Sequence, residues 1–189
     1  MKVPIEVSAR HAHLNQADLE KLFGKNFSLS MEKKISQPNQ FAAKEYIAIK
    51  NGDKLIDKVR IVGPIRTKTQ VEISKSDART LGTKAPIRLS GDINDSQAIT
   101  LIGPNGSVKI DAGLIVAKRH LHVSPAEAAK MNIKNGQIVS VAVSGVRAIV
   151  FEEVIVRSRE EVDKLAFHID TDEANAANIE GNESGTILE

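Results

Sequence analysis

The stretch Arg119-His120-Leu121-His122-Val123-Ser124-Pro125-Ala126-Glu127-Ala128 sets two histidines one residue apart and follows them at once with a helix start. Ser124 has the side-chain oxygen that an N-cap needs, Pro125 suits the first helical position, and Glu127 completes a capping box. His120 and His122 are therefore expected to end a strand that points into the space just before that helix. Alternate residues of a strand share a face, so both imidazoles can reach one ion.

The same device recurs near the N-terminus as Arg10-His11-Ala12-His13-Leu14-Asn15-Gln16-Ala17-Asp18-Leu19, an internal repeat with the capping pattern in register. Relaxing the first position uncovers two more copies, Glu72-Ile73-Ser74-Lys75-Ser76-Asp77-Ala78 and His168-Ile169-Asp170-Thr171-Asp172-Glu173-Ala174. Each reads as a metal-capable residue, an apolar residue, a cap, two residues, an acid and an apolar residue. The apolar residue before the cap can staple against the one after the acid, as Leu14 with Leu19 or Val123 with Ala128. In all four copies the candidate ligand (His13, Glu72, His122, His168) lies two residues before a cap. All 5 histidines of the chain fall inside these copies.

Composition bounds the rest. A chain of 189 residues with 41% apolar content can bury a real core and suits one large or two small domains. A net charge of +2 is nearly balanced, so no nucleic-acid or membrane surface is expected. The N-terminal residues carry no apolar signal core and no long hydrophobic span follows, which points to a soluble, cytoplasmic protein. With no cysteine, thiolate metal ligands and a cysteine nucleophile drop out.

The strand signals are short and closely spaced. Residues 3–7 read as the strand that delivers the first histidine pair, 15–23 as a short helix closed by Gly24, and 25–43 as a polar flap with a turn at Gln37-Pro38-Asn39-Gln40. Strands are then expected over 46–50 and 54–62 around an Asn51-Gly52 turn, and over 71–73 before a second capped helix, 75–81. Further strands are read over 86–90, 98–102 and 107–110, with Gly103-Pro104-Asn105-Gly106 as a tight turn. The second half repeats the theme. A strand over 114–122 leads into the third helix, an Asn135-Gly136 turn opens 137–143, and 146–156 reads as a strand pair. A surface helix is expected over 158–164, then a strand over 166–169 carrying His168, a last helix over 172–177, and a loose acidic tail from Glu180 with a short strand near 186–188. Short strands at turn-punctuated spacing, with helices too short for parallel crossovers, make the fold mainly β with short α-helices: β-barrels capped by helices.

One His-x-His is weak evidence for a metal site, but two copies in a repeated Arg-His-x-His frame and a fifth histidine in a matching frame are strong evidence. Neutral imidazoles with at most one carboxylate suit zinc better than magnesium or calcium, while cobalt, nickel or iron could occupy such a site. Helix N-termini and arginines near metal call for an anion. Arg66, in the turn Gly63-Pro64-Ile65-Arg66 just ahead of Glu72, can fork onto phosphate oxygens, whereas Arg10 and Arg119 should face the opposite side of their strands in structural roles. The sequence has no Gly-x-Ser-x-Gly elbow, phosphate-binding loop or dinucleotide fingerprint, and every histidine is claimed by a cluster, so a serine triad is not expected.

The paired Val7-Ser8-Ala9-Arg10-His11-Ala12-His13-Leu14 and Ala117-Lys118-Arg119-His120-Leu121-His122-Val123-Ser124 carry a resemblance. Together with Gly63-Pro64-Ile65-Arg66-Thr67-Lys68-Thr69-Gln70-Val71-Glu72-Ile73-Ser74 and His168-Ile169-Asp170-Thr171-Asp172-Glu173-Ala174-Asn175-Ala176, they resemble the PduL-type phosphotransacylases, also called phosphate propanoyltransferases, over essentially the whole chain. The resemblance implies a zinc enzyme that moves a short acyl group, acetyl or propanoyl, between coenzyme A and inorganic phosphate. It implies two β-barrels with the active site between them: residues 1–9 with 114–189 as one, and 10–113, with the flap at about 25–43, as the other. It also implies two zinc ions per chain, one on His11, His13 and Glu72 and one on His120, His122 and His168, with Arg66 on phosphate. Acyl-CoA and phosphate would be the partners, in a homodimer. Family members packaged in bacterial microcompartments usually carry an N-terminal extension that this chain lacks, so a cytosolic role is expected. On the residues alone, two other readings stay open: a dinuclear metal hydrolase of an anionic ester, and a non-catalytic metal-dependent binding module.

Overall fold

The computed structural model describes residues 1–160 and 163–188, which divide into two compact units. One is made of Arg10–Ile35 and Asn39–Ala117; the other of Met1–Ala9, Ser36–Pro38 and Lys118–Glu189. Each is built on a closed six-stranded β-barrel, called here the Glu72 barrel and the His168 barrel after the residue by which their metal-capable sets differ.

In chain order the elements are β1 (Lys2–Ser8), β2 (His11–His13), α1 (Gln16–Phe23), β3 (Met31–Lys34), β4 (Phe41–Asn51), β5 (Lys54–Gly63), β6 (Gln70–Glu72), α2 (Lys75–Leu81), β7 (Ile87–Arg88), β8 (Gln97–Gly103) and β9 (Gly106–Ala117). They continue with β10 (His120–His122), α3 (Pro125–Lys130), β11 (Ile138–Val143), β12 (Ile149–Arg157), β13 (Ala166–Asp170), α4 (Thr171–Ala177) and β14 (Ser184–Leu188). Among the described residues no helix is long and apolar enough to cross a membrane.

The Glu72 barrel runs β4-β5-β2-β6-β9-β8 and closes because β8 pairs with both β9 and β4; β3 and β7 are added at the margins. The His168 barrel runs β12-β10-β13-β1-β14-β11 and closes on itself. The two rings match strand for strand. The parallel pairs β2/β5 and β6/β9 of the first correspond to β10/β12 and β13/β1 of the second, and every other ring pair is antiparallel. The chain order is permuted, because β1, the counterpart of β9, comes from the N-terminus. Residues 114–117 stay with the Glu72 unit, since they form the end of β9 that pairs with β6 and β7.

Parallel strands need a crossover of a dozen or more residues; between β2 and β5, β6 and β9, and β10 and β12 it holds a short helix and one strand of the same ring, whereas β1 and β13 are joined through most of the chain. The helices did not have to be long, contrary to the sequence reading. The caps are local and fall where the repeat sets them. Asn15, Ser74, Ser124 and Asp170 each accept a hydrogen bond from the backbone N–H three residues on. Ser74, Ser124 and Asp170 form full capping boxes. The first copy departs from this. The Asn15 N–H donates to Thr69 Oγ1 (3.1 Å), which donates in turn to Asp18 Oδ2 (2.6 Å).

Each barrel has its own apolar core. Leu14, Leu19, Leu22, Ile61, Leu81 and Leu101 fill the Glu72 barrel, and Leu121, Val141, Phe151, Val154 and Phe167 fill the His168 barrel. The staple partners Leu14 with Leu19 and Val123 with Ala128 are buried within these cores, so each cap is anchored by packing as well as by hydrogen bonds.

Several local expectations give way to tertiary pairing. The strand read over 114–122 is broken at Lys118 and Arg119 into β9 and β10, which lie in different barrels. The pair read over 146–156 is the single strand β12, with Val146 exposed in the turn before it. Ala42 and Ala43, at the end of the expected flap, are buried at the start of β4, and the Phe41 ring packs onto Gly63, where a Cβ would meet it at 2.3 Å. The tail is not loose, because Ser184–Leu188 pairs with both β1 and β11 and completes the ring. The helix expected over 158–164 falls partly on residues 161 and 162, outside the described residues; Ser158, Arg159, Asp163 and Lys164 on either side have no helical assignment.

Candidate metal centres

In the Glu72 barrel, His11 and His13 alternate along β2, and β6 lies antiparallel beside them with Glu72 directly opposite His11. The imidazole planes stand at 89° with centroids 5.0 Å apart. His13 Nδ1 lies 3.0 Å from the Val62 carbonyl oxygen, an acceptor only, so that nitrogen donates and Nε2 keeps its lone pair. Nε2 of His13 is 3.9 Å from Glu72 Oε1, and Nε2 of His11 is 3.7 Å from Glu72 Oε2. Burial foremost, then the charges of His11 and Arg66, push the pKa of His13 down to about 3.

Glu72 is buried, and two side chains hold one of its oxygens. Its Oε1 accepts from Gln70 Nε2 and from Ser90 Oγ, both at 2.6 Å, while Gln70 Oε1 accepts the Gly91 N–H at 2.8 Å. Ser90 Oγ also accepts from Arg66 Nη1 at 3.4 Å, and the Arg66 N–H donates to the Leu14 carbonyl at 2.8 Å. The arginine turn is thus tied both to the histidine strand's exit and, through Ser90, to the carboxylate. Gln70 could have been read from the sequence, since it alternates with Glu72 on one strand face. Ser90 has no local signal; only the folded barrel brings it there.

In the His168 barrel, His120 and His122 alternate along β10, and His168 lies directly opposite His120 on β13. The three ring centroids are 4.6, 5.2 and 4.7 Å apart. His120 Nδ1 donates to the Lys118 carbonyl (2.8 Å) and His122 Nδ1 donates to Asp163 Oδ1 (2.6 Å). With both Nδ1 atoms carrying hydrogen, the two Nε2 atoms meet 3.0 Å apart as facing lone pairs in the neutral rings. That contact is repulsive unless a cation lies between them. His168 Nε2 is buried without a hydrogen-bond partner among the described residues and lies 3.1 Å from Glu6 Oε2. Burial, then the charge of His168, pushes His122 down to about 3; burial, then the charges of His168 and His122, pushes His120 well below its ordinary value. His120 and His122 are thereby held in the neutral state that a metal ligand requires.

Each triad offers three donor atoms within 4.8 Å of one another. Zinc bonds of about 2.0–2.1 Å put tetrahedral neighbours roughly 3.4 Å apart, which the contacts of 3.0, 3.7 and 3.9 Å bracket. Imidazole nitrogens with at most one carboxylate, gathered at this spacing, are donor sets that suit zinc. Arg10 and Arg119 stand apart from the triads. Arg10 forks onto Asp77 (3.0 and 2.7 Å) and Arg119 lies 3.3 Å from Glu173, each partner being the capping-box acid of a helix start.

A family model described as phosphate propanoyltransferase matches residues 4–180. The chain belongs to the phosphate propanoyltransferase family. It is 45% identical over 186 residues to a phosphate propanoyltransferase of Thermotoga maritima, covering 98% of this chain and 88% of the relative. Identity is 48% over 188 residues to one of Lachnoclostridium phytofermentans (98% and 87%) and 43% over 186 residues to one of Listeria monocytogenes (98% and 87%). Membership of this family makes the chain an acyltransferase of the phosphotransacylase type, as the histidine repeats and the Arg66 segment indicated.

Proposed function

We propose that the chain exchanges a short acyl group, propanoyl or acetyl, between coenzyme A and inorganic phosphate, with one zinc held by His11, His13 and Glu72 and a second by His120, His122 and His168. The observation that carries this reading is the Ser90 bridge, which holds a guanidinium suited to phosphate two hydrogen bonds from a metal-capable carboxylate. When bound, zinc supplies a Lewis acid for a thioester carbonyl and a soft partner for a thiolate.

The chain's own groups do the positioning. Arg66 orients a phosphate oxygen toward the carbonyl carbon by a charge-assisted fork. That oxygen bonds to the carbon, the carbon–sulfur bond breaks, and coenzyme A leaves as its thiolate; phosphate dianion needs no proton removed. Ligating histidines are not available as general bases, and the chain has no cysteine nucleophile, so the transfer is read as direct attack of phosphate on the thioester. Gln70 and Ser90 hold Oε1 of Glu72, which lies 3.9 Å from His13 Nε2, while Oε2 lies 3.7 Å from His11 Nε2. The protein would work in the cytoplasm as a homodimer.

Acetyl phosphate mixed with coenzyme A and the purified protein tests the reading. Thioester absorbance should rise as phosphate is released. Phosphate release that needs no coenzyme A would mean a hydrolase, and no reaction with zinc-loaded protein would reject catalysis on these substrates.

A further inference from the structure

Asp163 is a carboxylate that nothing in the histidine pattern announces. Its side chain is 0% exposed, yet it carries charge partners on both oxygens. Oδ1 accepts from His122 Nδ1 at 2.6 Å and from Arg159 Nη2 at 2.9 Å, and Oδ2 accepts from Arg159 Nε at 2.9 Å. The neighbouring backbone is pinned as well: the Gln37 side-chain amide accepts from the Lys164 N–H (3.0 Å) and donates to the Lys164 carbonyl (3.2 Å). A buried carboxylate is costly unless something compensates it, and here the compensation is a two-point arginine fork plus an imidazole N–H.

The geometry points to Asp163 as the positioning residue of the His168-barrel metal centre, with Arg159 as its anchor. The inference rests on the reading of His120, His122 and His168 as zinc ligands. By accepting the Nδ1 hydrogen, the carboxylate selects the tautomer that leaves the His122 Nε2 lone pair free, fixes the ring plane, and raises the basicity of the nitrogen that faces His120 Nε2 at 3.0 Å. The other centre is supported differently. His13 Nδ1 donates to a backbone carbonyl, a neutral acceptor that no side-chain substitution removes. Asp163 therefore acts on the His168 centre alone, through His122, whereas the corresponding nitrogen of His13 has a backbone acceptor.

Zinc affinity separates the two centres when each is isolated on the full-length protein. In a His11→Ala background the remaining zinc belongs to the His168 barrel, and in a His168→Ala background to the Glu72 barrel. Competition against a graded series of chelators, with Asp163→Asn added to each, should show a loss on the order of 10–100-fold in the first background and none in the second. The cobalt-substituted His11→Ala protein should also change its visible absorption when Asp163→Asn is added. Equal affinity with and without Asp163→Asn in the His11→Ala background would overturn the inference. An equal loss in both backgrounds would overturn it too, by making Asp163 a general stability residue. Should Asp163→Asn fail to fold, Arg159→Gln leaves the carboxylate and removes its fork. A several-fold weakening confined to the His168 centre is then expected, and unchanged affinity overturns the inference. Wild-type protein that binds no zinc would instead reject the dizinc reading itself.

Discussion

His11 and Glu72 face each other as direct cross-strand partners of the antiparallel β2/β6 pair, as His120 and His168 do in β10/β13. A carboxylate therefore occupies in one barrel the register position that an imidazole occupies in the other. Glu72→Gln keeps the size and both second-layer contacts but removes the charge. It is expected to lower the zinc content from about two ions per chain to about one and to suppress acyl transfer while the fold survives. Elemental analysis decides the case; full occupancy with wild-type turnover would leave Glu72 as a helix-capping neighbour only.

Arg66→Ala removes a guanidinium held beside Ser90. Loss of a charge-assisted phosphate contact of about 2–3 kcal/mol corresponds to roughly a hundredfold in kcat/KM, with KM for phosphate raised. Steady-state kinetics with phosphate varied is the check, and unchanged constants would reduce Arg66 to a surface charge.

The metal-free protein should lose stability as pH falls. His13 and His122 titrate near 3 in the folded chain against an ordinary 6.5, so between these values the unfolded chain binds more protons and stability rises with pH. Each depressed pKa leaves stability intact above 6.5 and erodes it as pH drops toward 3, by about 1.4 kcal/mol per pH unit per histidine at most. Urea unfolding of chelator-stripped protein between about pH 5 and 6.5, above the main carboxylate range, should show that slope; a flat profile there contradicts it.

Gly185→Ala tests whether β14 completes its barrel. A Cβ there would lie 2.4 Å from Val141 Cγ1, the end of a stiff side chain on the neighbouring strand. A loss of about 1–3 kcal/mol is expected from overpacking, read as a lower urea midpoint at unchanged slope. An unchanged midpoint would mean that this tail is dispensable.

The helix starts and the residues two before each cap were legible in the sequence because capping is local. A side chain bonds a backbone N–H three residues away, and the apolar staple needs little more. The mainly β character was legible too, from short runs between turn residues. The short strand near 186–188 is present as β14, but the strand pair over 146–156 and the looseness of the tail were misread, because alternation and glycine content do not reveal which distant strand a segment will pair with.

By itself, then, the sequence determined four capped turns, each preceded by a metal-capable residue, and an arginine turn ahead of Glu72. Only the tertiary structure decided that Glu72 stands opposite His11 and His168 opposite His120. It paired the strands from the two ends of the chain in closing the His168 barrel, and it alone brought Ser90 to Glu72 and Asp163 to His122. The physical reason is the range of the interaction. Caps are satisfied within one helical turn, whereas strand register and the partners of a buried carboxylate are chosen by the packing of segments far apart in the chain.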